Sequence, residues 1–174
     1  MKLKLVQILL LSSFICSLNS CTPDDTSNDT ITNSKTDYSS EKTPDYTYSS
    51  YELETLKSIN DYRVSIGLEP LEKANLLSWE SEEHDEFMIT NNVVSHVGFE
   101  TRSENIMKSL GAIKVGENIA FSNINATTKT IVNAWLASPT HKKNIEGDYT
   151  HFGIAIKEDP TTGKKYYTNI FAKI

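Results

Sequence analysis

The chain has 174 residues, of which 38% are hydrophobic and 23% are charged, and its formal net charge is −6. This length suits one domain with accessory segments, and the hydrophobic share is sufficient for a packed core. The acidic balance, with no strongly basic stretch, argues against nucleic acid as the main partner.

Residues 1–20 have the features of an export signal. Lys2 and Lys4 precede an apolar run over residues 5–18, which is shorter than the roughly 20 apolar residues that a transmembrane helix needs. The stretch Leu18-Asn19-Ser20-Cys21 that follows resembles a lipobox, whose cysteine becomes the lipidated first residue of the mature protein. We therefore predict a lipoprotein signal peptide; an ordinary secretory signal with a chance cysteine is the alternative.

The two cysteines fit this prediction. Cys16 lies inside the predicted signal, and no cysteine follows Cys21. The mature domain is therefore expected to have no disulfide. A diacylglycerol anchor at Cys21 would attach the protein stably to a membrane of the bacterial cell envelope, since two acyl chains suffice for this.

Residues 21–50 are predicted to form a disordered tether behind the lipidated cysteine. The segment is rich in Ser, Thr, Asp and Asn and is nearly free of aliphatic residues. Such a segment cannot bury enough apolar surface to offset the entropy cost of ordering it. Acidic residues close behind Cys21 also resemble surface-export signals of some lipoproteins, which makes an exposed outer-membrane location the second interpretation.

The predicted domain covers residues 51–174 and begins with helices. Apolar residues recur at helical spacing over residues 53–66, with Gly67 as the stop. Further helices are predicted over 76–91, 103–110 and 127–137. Strands are predicted over 117–121, 152–156 and 166–171, the last two joined by a Pro/Gly turn at 159–163. Helices followed by a terminal hairpin indicate an α+β domain with segregated layers.

Six sequence blocks in order along the domain resemble those of a known family. They are Asn60-Asp61-Tyr62-Arg63 with Gly67-Leu68-Glu69-Pro70-Leu71, Ser95-His96 with Gly98 and Arg102, Gly116-Glu117-Asn118-Ile119-Ala120, residues 134–141 with Asn144-Ile145, His151-Phe152-Gly153-Ile154-Ala155, and residues 167–171. Together they resemble the CAP superfamily (cysteine-rich secretory, antigen 5 and pathogenesis-related 1) in its bacterial lipoprotein form. The resemblance implies an α-β-α sandwich, with an antiparallel central sheet and helices on both faces.

The resemblance also implies a cleft with two histidines and two glutamates, at which some members bind zinc or another divalent metal. His96 matches the first histidine, Glu117 the first glutamate and His151 the second histidine. The second glutamate falls near Ser138 and is absent, and His141, one helical turn further on, is the candidate for that corner. Imidazole and carboxylate groups suit such an ion, although no local chelating motif is present.

Two further residues are interpreted as structural. Ser138 fits the N-cap of a short helix that has Pro139 in its first position, and this role is favoured over a nucleophilic one. His84 projects from the apolar side of the second predicted helix and is interpreted as a core histidine. Glu80 and Glu83, near the same inward side, would need partners or partial exposure.

Three functions remain open at this stage. The favoured one is a monomeric binding module whose cleft holds a divalent metal, a small molecule or a lipid. The second is a surface domain with a structural or interaction role. The third is a metal-assisted hydrolase acting on peptide or cell-envelope material, with His96, Glu117 and His151 as catalytic candidates.

Overall fold

A computed structural model describes residues 44–123 and 126–174 of the chain. The predicted signal peptide, Cys21 and most of the predicted tether lie outside the described residues. The elements in chain order are α1 (Ser50–Ser65), β1 (Glu72–Lys73), α2 (Asn75–Thr90), α3 (Phe99–Leu110), β2 (Lys114–Ser122), α4 (Thr128–Ala137), α5 (Pro139–Ile145), β3 (His151–Glu158) and β4 (Lys165–Lys173).

The strands form one sheet in the order β1-β3-β4-β2. The hairpin of β3 and β4 and the pair of β4 and β2 are antiparallel, and their register places Glu117 opposite Ile170 and Ile170 opposite Gly153. The antiparallel central sheet was predicted. The two-residue β1, which pairs parallel with β3, was not, because so short a segment carries no periodic pattern.

Helices cover both faces of the sheet. On one face Ile59 of α1, Trp135 of α4 and Ile145 of α5 pack with Phe152 and Phe171 of the hairpin. On the other face Leu77 of α2 and Ile106 of α3 pack with Ile170 and Ala172 of β4. Residues that alternate along a strand point to opposite faces, which is why one hairpin supplies both cores. The α-β-α sandwich that the sequence predicted is confirmed.

A glycine allows α2 to lie directly against β3. A Cβ atom on Gly153 would overlap the Cβ and backbone of Leu77 and the backbone nitrogen of Ser78. The hydroxyl of Ser78 accepts a hydrogen bond from the Ile154 backbone N–H at 3.0 Å. The helix therefore contacts the strand through backbone as well as side chains, and this fixes the height of α2 above the sheet.

The first sequence block, Asn60 to Arg63, fastens two loops to α1. The Asn60 side chain exchanges hydrogen bonds with the backbone N–H and carbonyl of Leu71, each at 2.9 Å. Arg63 is 3% exposed, and its guanidinium donates to the carbonyls of Glu69, Ile145 and Gly147. This block therefore acts in folding rather than at a cleft.

The residues just ahead of α1 lie against the domain. Tyr46 donates a hydrogen bond to Oε1 of Glu52 at 2.9 Å, and the same oxygen accepts one from the Ile156 backbone N–H at 3.0 Å. The hydroxyl of Tyr48 accepts a hydrogen bond from Ser78 at 3.0 Å. The described residues just before the predicted boundary near residue 50 therefore have aromatic side chains that contact the sandwich.

Two helices begin earlier than predicted. In α1, Ser49 caps the helix and forms a capping box with Glu52, so the helix starts at Ser50 instead of residue 53. In α3, Gly98 adopts a left-handed φ of 77° ahead of the first turn, and the helix starts at Phe99 instead of residue 103. None of the helices within residues 44–123 and 126–174 combines the length and hydrophobicity that spanning a bilayer requires.

Candidate functional site

The candidate site centres on the carboxylate of Glu117, in the edge strand β2. This side chain is 1% exposed, and both of its oxygens are engaged. Oε1 accepts a hydrogen bond from His96 Nδ1 at 2.7 Å, and Oε2 accepts two from Arg102, from Nη2 at 2.7 Å and from Nε at 3.2 Å. A buried carboxylate is tolerable because two cationic or donor side chains compensate for its lost hydration.

The hydrogen bond to Glu117 sets the chemistry of His96. A carboxylate accepts, so Nδ1 carries the proton and Nε2 presents a lone pair when the ring is neutral. The His96 side chain is 51% exposed, whereas that of Arg102 is 12% exposed. Of the three groups, His96 is therefore the one that can meet a ligand, and the other two hold it in place.

The backbone around Glu117 is fixed by the remaining residues of its sequence block. A Cβ atom on Gly116 would overlap the hydroxyl of Tyr149, so glycine lets that tyrosine side chain lie directly against the strand. The side-chain amide of Asn144 in α5 donates to the Glu117 carbonyl at 3.0 Å and to the Asn118 side-chain oxygen at 2.9 Å. Gly116 and Asn118, on either side of Glu117, thus hold the backbone that positions the glutamate.

His141 lies on α5 close to His96. Its backbone carbonyl accepts a hydrogen bond from the Asn118 side chain at 3.1 Å, which links α5 to β2. Burial lowers the pKa of the His141 imidazole, and the nearby charge of His96 lowers it further. The lowered pKa favours the neutral form of the ring. That His141 takes the corner of the missing second glutamate stays a prediction.

His151 is not brought together with His96 and Glu117. It lies on β3, which is separated from β2 by β4. Its Nδ1 lies 2.8 Å from the Thr150 hydroxyl, and its Nε2 lies 3.9 Å from a carboxylate oxygen of Glu72. By register His151 shares a sheet face with Glu117, but the apolar residues of β4, Ile170 and Ala172, lie between them.

His84 is a core residue, as predicted, and is 2% exposed. Its Nε2 donates to the Ser95 carbonyl at 2.8 Å, while its Nδ1 is buried with no hydrogen-bond partner among the described residues. Burial lowers the pKa of His84, and the charge of Arg102 lowers it further. The ring therefore remains neutral beneath the site.

The fold and the site match a known protein family. The sequence profile of the cysteine-rich secretory protein family, CAP, matches residues 56–171. The chain belongs to the CAP family. The matched stretch includes every block on which the sequence resemblance rested and both residues of the Glu117–His96 pair.

Two bacterial relatives and three solved structures resemble this CAP domain. The Bacillus subtilis membrane protein YlbC is 32% identical over 126 residues, which cover 70% of this chain and 34% of YlbC. The B. subtilis protein YkwD is 32% identical over 114 residues, which cover 63% of this chain and 44% of YkwD. The alignments thus span less than half the length of either relative.

The solved structures share the fold at low sequence identity. An outer surface protein of Borrelia burgdorferi has a TM-score of 0.63 at 20% identity, covering 73% of this chain and 96% of that one. An extracellular SCP-domain protein of Bacillus anthracis has a TM-score of 0.61 at 23% identity, covering 71% and 40%. A cysteine-rich secretory protein of Staphylococcus aureus has a TM-score of 0.56 at 16% identity, covering 71% and 38%.

The donor set of this CAP domain bears on the predicted metal site. Direct ligation by Glu117 would set a cation against the Arg102 guanidinium, which already lies 2.7 Å from Oε2. Among residues 44–123 and 126–174, no three His, Cys, Asp or Glu side chains are grouped so as to hold a metal ion. His96 is half exposed, so Glu117 fits the role of a carboxylate that orients a metal-binding histidine and does not bind the metal itself.

Sequence reasoning missed the role of Arg102 in this site. The family resemblance includes Arg102 without a role of its own, yet its guanidinium donates two hydrogen bonds to Oε2 of Glu117. The signal available in the sequence was the position of Arg102, which lies six residues after His96 in the same block. Ser138, by contrast, is at the predicted N-cap of α5 with Pro139 first in the helix, although its side chain makes no capping hydrogen bond.

Proposed function

We propose that this CAP-domain protein is an extracytoplasmic binding module, anchored to a membrane through Cys21, whose cleft at His96 holds a divalent metal ion or a small ligand. The observation that carries the proposal is the buried Glu117–Arg102 pair, which aims one imidazole outward. A location in the cell envelope is supported by the export signal and by relatives named as membrane, outer surface and extracellular proteins.

The orientation of His96 suits a metal ligand. Histidines that bind metals usually donate their other ring N–H to a carboxylate, and His96 Nδ1 does so to Glu117. His141 offers a second imidazole, and its lowered pKa favours the neutral form that can ligate. Zinc accepts imidazole nitrogen readily, and when bound it would supply Lewis acidity at the cleft.

A small organic or lipidic molecule is the other candidate for the same cleft. The Nε2 atom of His96 can accept a hydrogen bond when neutral and donate one when protonated, so it suits a hydroxyl or an acid equally. The geometry gives less support to hydrolysis with Glu117 as the base. The Glu117 side chain is 1% exposed and lies behind His96 and Arg102, so a substrate or an attacking water has little access to its carboxylate, whereas a base must come within reach of the proton that it takes.

Zinc binding to the full chain tests the proposal by isothermal titration calorimetry. Cys16 and Cys21 are replaced by serine throughout, because thiolates also bind zinc. We expect His96→Ala to abolish binding, and Glu117→Gln to weaken it by about 10–100-fold by losing the orienting carboxylate. His151→Ala is the matched control, since His151 lies two strands from the site, and we expect it to bind like the parent.

The outcomes separate the three functions. Binding that survives in His96→Ala, or that disappears equally in His151→Ala, contradicts the proposed site. If the parent does not bind zinc, the small-ligand version of the proposal remains. It predicts that a compound in a ligand screen raises the melting temperature of the parent but not that of His96→Ala. If neither the zinc titration nor the ligand screen detects binding, a structural or interaction role is favoured. Turnover that Glu117→Gln loses while retaining its fold would instead support the hydrolase.

The anchor is tested separately in bacterial cells. Growth with an alkyne-bearing fatty acid should label the wild-type chain and place it in the membrane fraction, and Cys21→Ser should lose both properties. Cys16→Ser is the control, because the predicted signal peptide containing Cys16 is removed. Equal labelling of the Cys21→Ser variant would exclude the lipoprotein interpretation and leave the ordinary secretory signal.

A further inference from the structure

A concave groove lies between α2 and the beginning of α3. It is an open groove of about 210 Å³. Its lining includes Glu80, Glu83, His84 and Phe87 of α2 together with Val97 and Arg102. Pockets for drug-sized molecules have volumes of roughly 300–1,000 Å³, so this groove suits a smaller occupant. His96 is not part of its lining, and the proposed function does not use it.

Glu80 at this groove is a buried carboxylate without a partner. Its residue exposure is 8%, and no described residue forms a hydrogen bond or ion pair with it. Burial raises the pKa of Glu80, an effect that the charge of Arg102 opposes and that of Glu83 reinforces. The oxygens of Glu80 are not among the fully buried polar atoms that lack a partner, so they keep contact with the open groove. A carboxylate with so little access to water and no protein partner favours a cation as the occupant of the groove.

The charges around Glu80 favour a cationic occupant. Arg102 is already committed to Glu117 and to the Val97 carbonyl. His84 donates its Nε2 proton to the Ser95 carbonyl, and its lowered pKa keeps it neutral. Glu80 and the exposed Glu83 therefore give the groove a negative charge that no described side chain balances.

The remaining wall of the groove is apolar. Phe87 is 38% exposed and Val97 is 59% exposed, values that are high for large hydrophobic residues. The Phe87 ring stacks on His84, with centroids 5.8 Å apart, which holds the ring in position. An aromatic face beside two carboxylates suits an ammonium group on an apolar body, through ion pairing, burial and cation–π attraction.

We propose that this groove binds a small primary amine, with its ammonium group donating to Glu80 and Glu83 and its apolar part resting on Phe87 and Val97. His96 does not line this groove, whereas Arg102, which donates to Glu117, does. A bound ammonium group would give Glu80 the hydrogen-bond partner that it lacks in the folded chain. Because Glu80 is largely shielded from water, it should bind a positively charged group more tightly than a neutral or negative group of the same shape.

Three compounds of one shape test the proposal on the full chain. 2-Phenylethylamine, 2-phenylethanol and phenylacetate carry positive, neutral and negative groups on the same ring, and ligand-observed NMR titration gives each Kd. We expect saturable binding of the amine only. Glu80→Gln should weaken it by about tenfold or more, since it removes a charged acceptor. Glu104→Gln, an exposed position on α3 with the same change in net charge, should stay within about twofold.

Stability distinguishes a ligand site from a structural carboxylate. Because Glu80 has no partner, Glu80→Gln should melt at or above the temperature of the parent, whereas a structural carboxylate would lose stability. If Glu80→Gln does not fold, Glu83→Gln replaces it in the titration. Equal binding of phenylacetate, unchanged amine affinity in the glutamine variant, or absence of saturable amine binding would each overturn the proposal.

Discussion

Replacing Arg102 with methionine tests the electrostatics on which the site depends. The change keeps the apolar stem of the side chain but leaves Oε2 of Glu117, at 1% exposure, without a donor. Removing one partner of a buried ion pair costs about 3–5 kcal/mol, and the residual 12% exposure of Arg102 favours the lower end, about 3 kcal/mol. For a chain of this size the loss corresponds to a melting temperature lower by about 6–12 °C.

Urea unfolding followed by far-ultraviolet circular dichroism measures this loss. Lys57→Met is the matched control, because Lys57 and Asp61 lie 2.6 Å apart with side chains 73% and 64% exposed. Exposed pairs of this kind contribute about 0–1 kcal/mol. In the double variant Arg102→Met/Glu117→Gln no charge is left buried alone, so it should be more stable than Arg102→Met. A loss no larger than that of Lys57→Met, or a double variant less stable than the single one, would refute the reasoning.

Three further predictions concern stability. Gly153→Ala should cost about 1–3 kcal/mol, towards the upper end because its Cβ meets the backbone of Leu77, and thermal unfolding measures the loss. Arg63→Lys keeps the charge but loses the guanidinium fork that reaches three carbonyls, and should cost about 2–3 kcal/mol in urea unfolding. Because burial raises the pKa of Glu80 in the folded state, its contribution to stability is present at low pH and is lost as pH rises through that pKa. Glu80→Gln should therefore gain stability relative to the parent between about pH 4 and about pH 7, and a gain that shrinks over this interval would contradict the assignment.

The layers of the fold were predictable because each depends on local patterns. Helical spacing of apolar residues located four helices, and the turn around Gly163 located the hairpin of β3 and β4. The start of α1 was placed three residues late because the prediction followed apolar spacing from Leu53. The Ser49-x-x-Glu52 capping signature was nevertheless present in the sequence.

The site was predictable only in part, because proximity in the fold is not encoded in local spacing. Family blocks grouped Glu117 with His96, and these residues, which are 21 positions apart, form a hydrogen bond in the fold. The same reasoning grouped His151 with them, since nothing in linear order reveals that β4 lies between β3 and β2. Glu80 illustrates a different limit. Helical periodicity placed it near the buried side of α2, but only the folded chain shows that no partner reaches it.

The contacts ahead of α1 would have a mechanical consequence under the proposed anchor at Cys21, because force would then reach the domain through its N-terminal end. Glu52 receives hydrogen bonds from Tyr46, from the backbone of Ser49 and from the backbone of Ile156 in β3. A force applied to the chain before Tyr46 is therefore transmitted to both α1 and the sheet, and the three hydrogen bonds to Glu52 bear it together. The first turn of α1 is therefore protected, and force applied ahead of Tyr46 should break these hydrogen bonds together before the helix unwinds.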